Sequence, residues 1–350
     1  MAQMMKPGRV TLSAVAAAAG TSIPTVSKVL RGGTDVSQET RERVMDAAQS
    51  VGYVRRETRS RHAGGAFSGP LPLIDLVVNH VAGTWPNGVL TGVEDAASAA
   101  KVDVVITLAR GTEDWVPRLL RRPSLGAIVV LVDPSPAQFV ALKTAGVPVV
   151  MVDPMSQPHV AVPAVGATNW DGGRSAAEHL IGLGHVDVGI IGGARLHQYS
   201  QARIDGFRTA FESAGLPRPD QVAYGNWERV RAHDEAKRML AADGRPTAIF
   251  ACSDVTALGV YDAARELGID IPSQLSVVGF DDVPEAQWAT PQMTTVHQPL
   301  AEMGAASVNV LLQLRAGTNG KNYPQNPRLD LATHLVVRES TAPPPPPPPR

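Results

Sequence analysis

The first 62 residues of this chain carry a concentration of basic side chains. They hold ten Lys or Arg residues against five Asp or Glu residues, a net charge of +5, whereas the whole chain of 350 residues has a net charge of −1. Within them, the stretch Thr21–Leu30, TSIPTVSKVL, combines four hydroxyl side chains with Lys28. Hydroxyl and ammonium groups can donate hydrogen bonds to phosphate oxygens. A polyanionic partner is one explanation of this chemistry, and a charged, solvated surface is the other.

Three short helices are predicted to position these side chains. Thr11 can cap a first helix over about 12–19, and Ser22 can cap a second helix that begins at residue 23. Ser37 can cap a third helix over about 38–51. Gly20 ends the first helix, and Pro24 lies in the first turn of the second, where its missing N–H group costs nothing. Two short helices joined by a glycine-containing turn and backed by a third form a helix-turn-helix, whose second helix fits the major groove of DNA. The sequence therefore predicts an all-α DNA-binding head over residues 1–56.

The segment from Val10 to Val54 resembles, without a gap, the head of the lactose-repressor (LacI/GalR) family of bacterial transcription factors. The motifs TVSKVL, VSQETRERV and GY fall at the spacings of that family. The resemblance implies that Ile23, Pro24 and Lys28 read base edges. It also implies that phosphates are contacted or supported by Ser22, Thr25, Ser27, Arg31, Ser37, Thr40 and Tyr53. A lysine can donate to guanine, whereas Ile23 and Pro24 offer only apolar contact, so specificity at their bases should be modest.

Residues 57–72 are expected to form a basic hinge that departs from the family pattern. Family members usually have a Pro-Asn pair and a hinge helix with a leucine that is wedged into the minor groove, where this chain has Arg55, Arg56 and then His62. An imidazole is poorly suited to the wedge. The arginines here are expected to grip phosphates or a narrow minor groove, and the alternative is a flexible linker that orders only on DNA. We expect little DNA bending.

From Leu73 onward, short apolar runs alternate with amphipathic stretches. The predicted strands are Ile74–Val78, Val102–Leu108, Ala127–Val132, Val147–Val152, Val186–Ile191, Ala248–Ala251 and Leu275–Phe280. The predicted helices lie at about 88–100, 113–122, 135–145, 171–183, 200–215, 229–242 and 255–267. Apolar strands separated by helices indicate parallel sheets covered on both faces, and so many units divide into two doubly wound α/β lobes. Ligands bind such sheets at the carboxyl ends of the strands, so the two lobes should enclose a cleft.

This body also resembles the LacI/GalR family, whose core is similar to a periplasmic sugar-binding protein. The resemblance is carried by VGATNWDGGRSAAEHLIGLGH, RIDGFRTAF, AIFACSDVTALGVYDAARELG, LSVVGFDDVPEA and TTVHQPLAEMG. It implies an effector-binding core over 73–340 in which the chain crosses between lobes more than once. The first lobe is expected to hold about 72–166 and 298–325, and the second about 167–297 and 326–338, with a terminal strand near Leu335–Val337. Residues 341–350, rich in proline, are expected to form an extended, solvated tail.

The resemblance further implies which residues hold the effector. Those expected at strand or helix ends facing the cleft are Asp153, Arg203, Ser253 and Asp281, with Trp227 as an aromatic platform. Carboxylates and a guanidinium can bind adjacent sugar hydroxyls in pairs. Ser253 departs from an asparagine that is commoner in the family. Asn79 and Trp85 are candidates for the opposite wall, although Trp85 could equally serve in packing.

The sequence predicts a sugar-responsive transcriptional regulator, a repressor, that binds a pseudopalindromic double-stranded operator as a homodimer. Whether the sugar releases or promotes DNA binding is left open. Cys252 is the only cysteine, and no apolar run approaches the roughly 20 residues of a membrane span, so we expect a cytoplasmic protein without a metal site, cofactor or membrane contact. GIIGGA does not match the dinucleotide motif GxGxxG, and no catalytic motif is found. A sugar-binding protein or sugar-acting enzyme on the same α/β core is the alternative.

Overall fold

The computed structural model of this chain describes residues 11–30, 36–51, 72–111, 114–317 and 328–346. The chain divides into two units, Met1–Ser68 and Gly69–Arg350. The first unit is the predicted head and the second is the predicted core.

The head contains the three expected helices, α1 (Leu12–Ala18), α2 (Ile23–Leu30) and α3 (Gln38–Ser50). Their shared apolar core is small: Val15, Ala16, Ala19, Val26, Val29, Val44, Ala47 and Ala48. The Oγ atom of Ser22 accepts a hydrogen bond from the Thr25 backbone N–H group at 3.3 Å, as expected of an N-cap. Thr11 lies at the N-cap of α1 but makes no such bond, because its hydroxyl pairs with that of Ser13 at 2.6 Å.

The core contains two six-stranded sheets. The first sheet has the order β2 (Asp103–Leu108), β1 (Leu73–Val78), β3 (Ala127–Val130), β4 (Val149–Val152), β5 (Ala164–Ala167) and β11 (Arg328–Leu331), all parallel. The second has the order β7 (Val222–Tyr224), β6 (Val188–Gly192), β8 (Ala248–Ala251), β9 (Ser276–Asp281), β10 (Thr294–His297) and β12 (His334–Val336). Only β12 runs antiparallel to its neighbour in this second sheet. The expected pair of α/β lobes is therefore confirmed.

Helices cover both faces of each sheet. Those of the first lobe are α4 (Thr84–Ala99), α5 (Val116–Leu119), α6 (Pro136–Thr144) and α12 (Leu300–Gly317). Those of the second are α7 (Asn169–Gly182), α8 (Gln198–Ser213), α9 (Arg229–Ala241), α10 (Asp254–Glu266) and α11 (Pro284–Trp288). The largest buried side chains of the second lobe include Phe207, Phe250 and Phe280, which stack or meet edge to face between the sheet and its helices.

The chain crosses between the lobes three times in the described part of the core, after β5, after β10 and after β11. The first and third crossovers are tied together, because the Thr333 N–H group donates to the Thr168 hydroxyl at 3.0 Å. The third crossover corrects one prediction. Residues 326–338 were expected in the second lobe, but β11 pairs with β5 in the first sheet, and only β12 belongs to the second.

The C-terminal segment differs from the predicted solvated tail at its start. Ser340 is fully buried, and the Ala342 carbonyl accepts hydrogen bonds from Ser276 Oγ and from the His185 ring, both at 2.9 Å. These partners lie at or just before the amino ends of β9 and β6. The second lobe therefore holds the chain at least as far as Ala342.

Candidate functional site

The head displays the residues predicted to face DNA along α2. Ile23 is 47% exposed although it is apolar, and Pro24 and Lys28 beside it are also exposed. Ser22 and Thr25 are joined through their hydroxyls at 2.8 Å, and Ser37 and Thr40 at 2.9 Å, so that each pair fixes the start of a helix. Ser27 is half-buried. An exposed apolar group in the first turn suits contact with a thymine methyl, and its role at DNA stays a prediction.

The predicted contacts that remain are Arg31, Tyr53, Arg55 and Arg56, which lie outside the described residues together with the predicted hinge. They stay predictions from the sequence.

The core contains a cavity of about 400 Å³ between the carboxyl ends of the two sheets, here called the effector cavity. All seven residues predicted to hold the effector line it: Asn79, Trp85, Asp153, Arg203, Trp227, Ser253 and Asp281. The sequence reasoning missed further lining residues, among them His80, Thr84, Leu131, Met155, His197, Tyr199 and Val255. Most of these also follow a strand, so the rule that ligands bind at carboxyl ends could have pointed to them.

Arg203 of α8 is the most constrained polar side chain of the cavity, at 2% exposure. Its Nε donates to Asn169 Oδ1 at 2.7 Å, and its Nη1 donates to the Cys252 carbonyl at 2.5 Å and to Asp281 Oδ1 at 3.2 Å. Its guanidinium also lies 3.7 Å from the centre of the Phe280 ring. These contacts fix the guanidinium in one orientation, which suits a donor that must meet a ligand without rearranging.

Asp281 ends β9 with a left-handed backbone, φ 115°, which turns its carboxylate toward Arg203. Its Oδ1 also accepts from Gln298 Nε2 at 2.8 Å, and Gln298 lies in the second crossover. Burial raises the pKa of Asp281 to about 7, and the attraction of Arg203 opposes that rise. The cavity floor is thereby linked directly to a segment that joins the lobes.

Asp153 follows β4 and supplies a carboxylate from the first lobe. It is 3% exposed and has φ 43°, and no described residue donates a hydrogen bond to its carboxylate. Burial raises its pKa to about 6, with Arg203 again acting in the opposite direction. Because Asp153 lines the cavity, its carboxylate can accept hydrogen bonds from the hydroxyl groups of a ligand.

An aromatic wall closes the second-lobe side of the cavity. Trp227 Nε1 and the Tyr199 hydroxyl both lie close to His197 Nδ1, at 3.0 and 2.9 Å. Because the indole N–H group can only donate, His197 Nδ1 is the acceptor and the neutral ring carries its proton on Nε2. Burial lowers the pKa of His197, which favours this neutral ring. The Tyr199 and Trp227 ring centres are 5.3 Å apart, so the wall is a rigid apolar platform.

The remaining predicted residues have structural duties as well. The Oγ atom of Ser253 caps α10 by accepting from the Thr256 N–H group at 3.2 Å, so only part of its hydrogen-bonding capacity is left for a ligand. Asn79 Oδ1 accepts from the His80 N–H group at 2.9 Å. Trp85 lies in the first turn of α4 and packs against the core of the first lobe while it lines the cavity. Trp85 therefore serves both in packing and in lining the cavity.

Comparison with known proteins matches both units of the chain. Residues 11–56 match the model of bacterial regulatory proteins of the lacI family, and residues 177–341 match the model of the periplasmic binding protein-like domain. Over 334 residues the chain is 27% identical to the HTH-type transcriptional repressor PurR of Haemophilus influenzae (strain PittEE), which covers 94% of this chain and 98% of that repressor.

Two solved structures of regulators are similar over nearly the full length. The complex of the transcriptional regulator CelR with cellobiose has a TM-score of 0.69 and 30% identity, covering 95% of this chain and 100% of that chain. The lac repressor dimer bound to operator and the anti-inducer ONPF has a TM-score of 0.69 and 26% identity, covering 96% of this chain and 100% of that chain. Among the described residues, no helix has the length and apolar character that crossing a membrane requires.

Proposed function

This chain belongs to the LacI family of bacterial regulatory proteins, and we propose that it is a repressor whose affinity for operator DNA is controlled by a sugar in the effector cavity. It is a helix-turn-helix transcriptional regulator, as its relatives are. The observation that carries the sugar proposal is the pairing of Asp153, Arg203 and Asp281 with the aromatic wall in one cavity.

That combination has the two kinds of contact that a sugar needs. Asp153 lacks a donor, and Arg203 and Asp281 are held in place, so the three can accept from and donate to adjacent hydroxyls. The indole of Trp227 offers an apolar surface for the C–H face of a pyranose. The CelR structure holds cellobiose, and this similarity supports a sugar here as well.

The chain is expected to act as a homodimer, because two heads related by a two-fold axis can read the two halves of a pseudopalindromic operator. The similar lac repressor is a dimer on operator DNA. We propose no catalytic role for the cavity, and the repressor acts where bacterial DNA is found, in the cytoplasm. For a sugar to control DNA binding, it must bind the DNA-competent and DNA-incompetent forms with different affinities.

Fluorescence anisotropy tests the proposal. DNA from upstream of the gene for this protein is titrated with the full chain, and the complex is then titrated with pentoses, hexoses and disaccharides, with random DNA of equal length as the control. We expect tight binding to the specific DNA that one class of sugar either releases or strengthens, which also fixes the sign of the response. Equal, weak binding to both DNAs and indifference to every sugar would contradict the proposal.

A further inference from the structure

A second cavity of about 660 Å³ adjoins the effector cavity on the first lobe. Asn79, Leu131 and Met155 line both cavities, so the two cavities are direct neighbours. The second cavity follows the same edge of the first sheet, past the carboxyl ends of β3 and β2, where Asp133 and Ala109 lie. The second cavity is not lined by the carboxylates or the guanidinium of the effector cavity, which belong to Asp153, Asp281 and Arg203. The aromatic wall does not line it either.

The second cavity has an apolar floor with fixed acceptors at its edge. Leu131, Ala137 and Ala141 supply apolar surface to this cavity, and Trp115, which is only 3% exposed, packs beneath it in the core of the first lobe. Asp114 Oδ1 accepts from Gln138 Nε2 at 3.0 Å, and Asp133 accepts from the Met155 N–H group at 3.1 Å. These bonds hold the carboxylates in place while leaving each with oxygen lone pairs for further donors.

The charge of the two cavities is unbalanced. Among the described lining residues, Asp153, Asp281, Asp114 and Asp133 are acidic, and Arg203 is the only Arg or Lys. Arg203 already donates to Asp281. A phosphorylated or carboxylated ligand would therefore be repelled, whereas the hydroxyl groups of a neutral ligand would donate to the surplus acceptors.

We propose that the effector is a neutral oligosaccharide of at least two hexose rings, one ring in the effector cavity and the next in the second cavity. This inference rests on the proposed function, because it requires that the effector is a sugar. Each cavity has carboxylates at its rim and an apolar surface, which Trp227 supplies in the effector cavity and Leu131, Ala137 and Ala141 supply in the second cavity. Because Asn79, Leu131 and Met155 line both cavities, a glycosidic link between the two rings would lie beside these three residues.

Isothermal titration calorimetry with the full chain tests this inference. The probes are glucose, galactose and mannose, their β- and α-linked disaccharides, and the 6-phosphates of the hexoses. We expect one disaccharide to bind at least about tenfold more tightly than its constituent hexose, which corresponds to about 1.4 kcal/mol. The phosphorylated hexoses should bind more weakly than the neutral ones.

Substitution of Ala137 blocks the second cavity alone. Ala137 is exposed on α6 and lines that cavity, so Ala137→Trp should remove the advantage of the disaccharide and leave hexose affinity and operator binding unchanged. Val140→Trp is the matched control, because Val140 is 64% exposed on the same helix and does not line the cavity. It should retain the disaccharide advantage.

The outcomes separate the two proposals. If the hexose binds as tightly as every disaccharide, or if Ala137→Trp leaves the disaccharide advantage intact, the second ring is not bound there, and the sugar-controlled repressor still stands. Preference for a phosphorylated hexose would contradict the neutral ligand. If no sugar binds at all, the proposed function itself fails.

Discussion

At the scale of single residues, Asp153 is the cavity carboxylate with the most hydrogen-bonding capacity left for a ligand. Its buried carboxylate has no donor among the described residues, whereas Asp281 already accepts from Arg203 and Gln298. Asp153→Asn keeps the shape and removes the charge, so sugar affinity should fall roughly tenfold, or about 1.4 kcal/mol, with operator affinity unchanged. Calorimetry and anisotropy measure the two affinities. Asp205→Asn, on the exposed side of α8, is the control, and equal loss in both variants would argue against a role for Asp153.

The same carboxylates predict how stability depends on pH. From an ordinary value of 3.8, burial raises the pKa of Asp153 to about 6 and of Asp281 to about 7. Between pH 3.8 and 7 the native core binds more protons than the unfolded chain. The contribution of the two carboxyl groups to the free energy of unfolding is therefore complete below pH 3.8 and is lost as pH rises toward 7. In urea unfolding, these two carboxylates therefore add a downward slope to the free energy of unfolding across this range. Asp153→Asn should flatten that slope, and an unchanged slope would exclude Asp153 as a source.

Lys28 provides the test at DNA. If it reads a base edge, Lys28→Ala should cost about 1–3 kcal/mol at the preferred operator and relax its specificity. Anisotropy with operator and random DNA distinguishes this from a phosphate contact, which would weaken binding to both DNAs equally.

At the scale of elements, the close contact of α7 with α8 fixes the position of Arg203. A Cβ atom on Gly173 would lie 2.0 Å from the Arg203 carbonyl oxygen, and one on Gly206 would lie 1.9 Å from the Trp170 carbonyl oxygen. The two helices approach this closely only because both positions are glycine.

Gly173→Ala should therefore push the helices apart. We expect a loss of about 1–3 kcal/mol in the free energy of unfolding and weaker sugar binding, because Arg203 moves with α8. Gly182→Ala on the same helix is the matched control, since a Cβ atom there meets nothing within 4 Å. Chemical denaturation and calorimetry test the pair, and equal effects in both variants would contradict the packing argument.

Elements that bury a continuous apolar run are the ones that the sequence predicts. All seven predicted strands are present with ends within two residues of those expected. The strands that were missed are short and lack such a run: β5 is AVGA, β7 is VAY, β10 is TTVH and β11 is RLDL. These segments become strands because they pair with strands that are distant in sequence, as β11 pairs with β5. The local sequence pattern does not indicate that pairing.

The residues of the effector cavity also divide into those that a local motif predicts and those that only the fold brings together. Arg203 and Asp281 lie in motifs, RIDGF and GFDD, and their neighbourhood was predictable. His197 is the N-cap residue of α8 and Tyr199 lies in the first turn of that helix, within the stretch GARLHQYS after β6, where no motif marks them. Their joint contact with Trp227 arises only when the carboxyl ends of β6 and β7 meet at one edge.

At the scale of the whole molecule, a sugar that binds only the folded core should stabilise it. At a free sugar concentration about a hundredfold above its dissociation constant, the gain is about 2.7 kcal/mol. Thermal unfolding of the full chain should show the core transition move upward with sugar concentration. The Asp153→Asn variant should need a higher concentration for the same shift. If the unfolding temperature did not change with any sugar that binds in calorimetry, the unfolded chain would have to bind that sugar as tightly as the folded core does.

The third crossover has a consequence for synthesis. The first sheet lacks β11 until residue 331 has been made, and the second lacks β12 until residue 336, whereas the head is complete within the first 68 residues. During translation, which proceeds from the N-terminus, the head can fold hundreds of residues before either lobe is closed. A ribosome that stalls or terminates early would therefore release a chain able to fold its DNA-binding head but without a finished receptor for the signal.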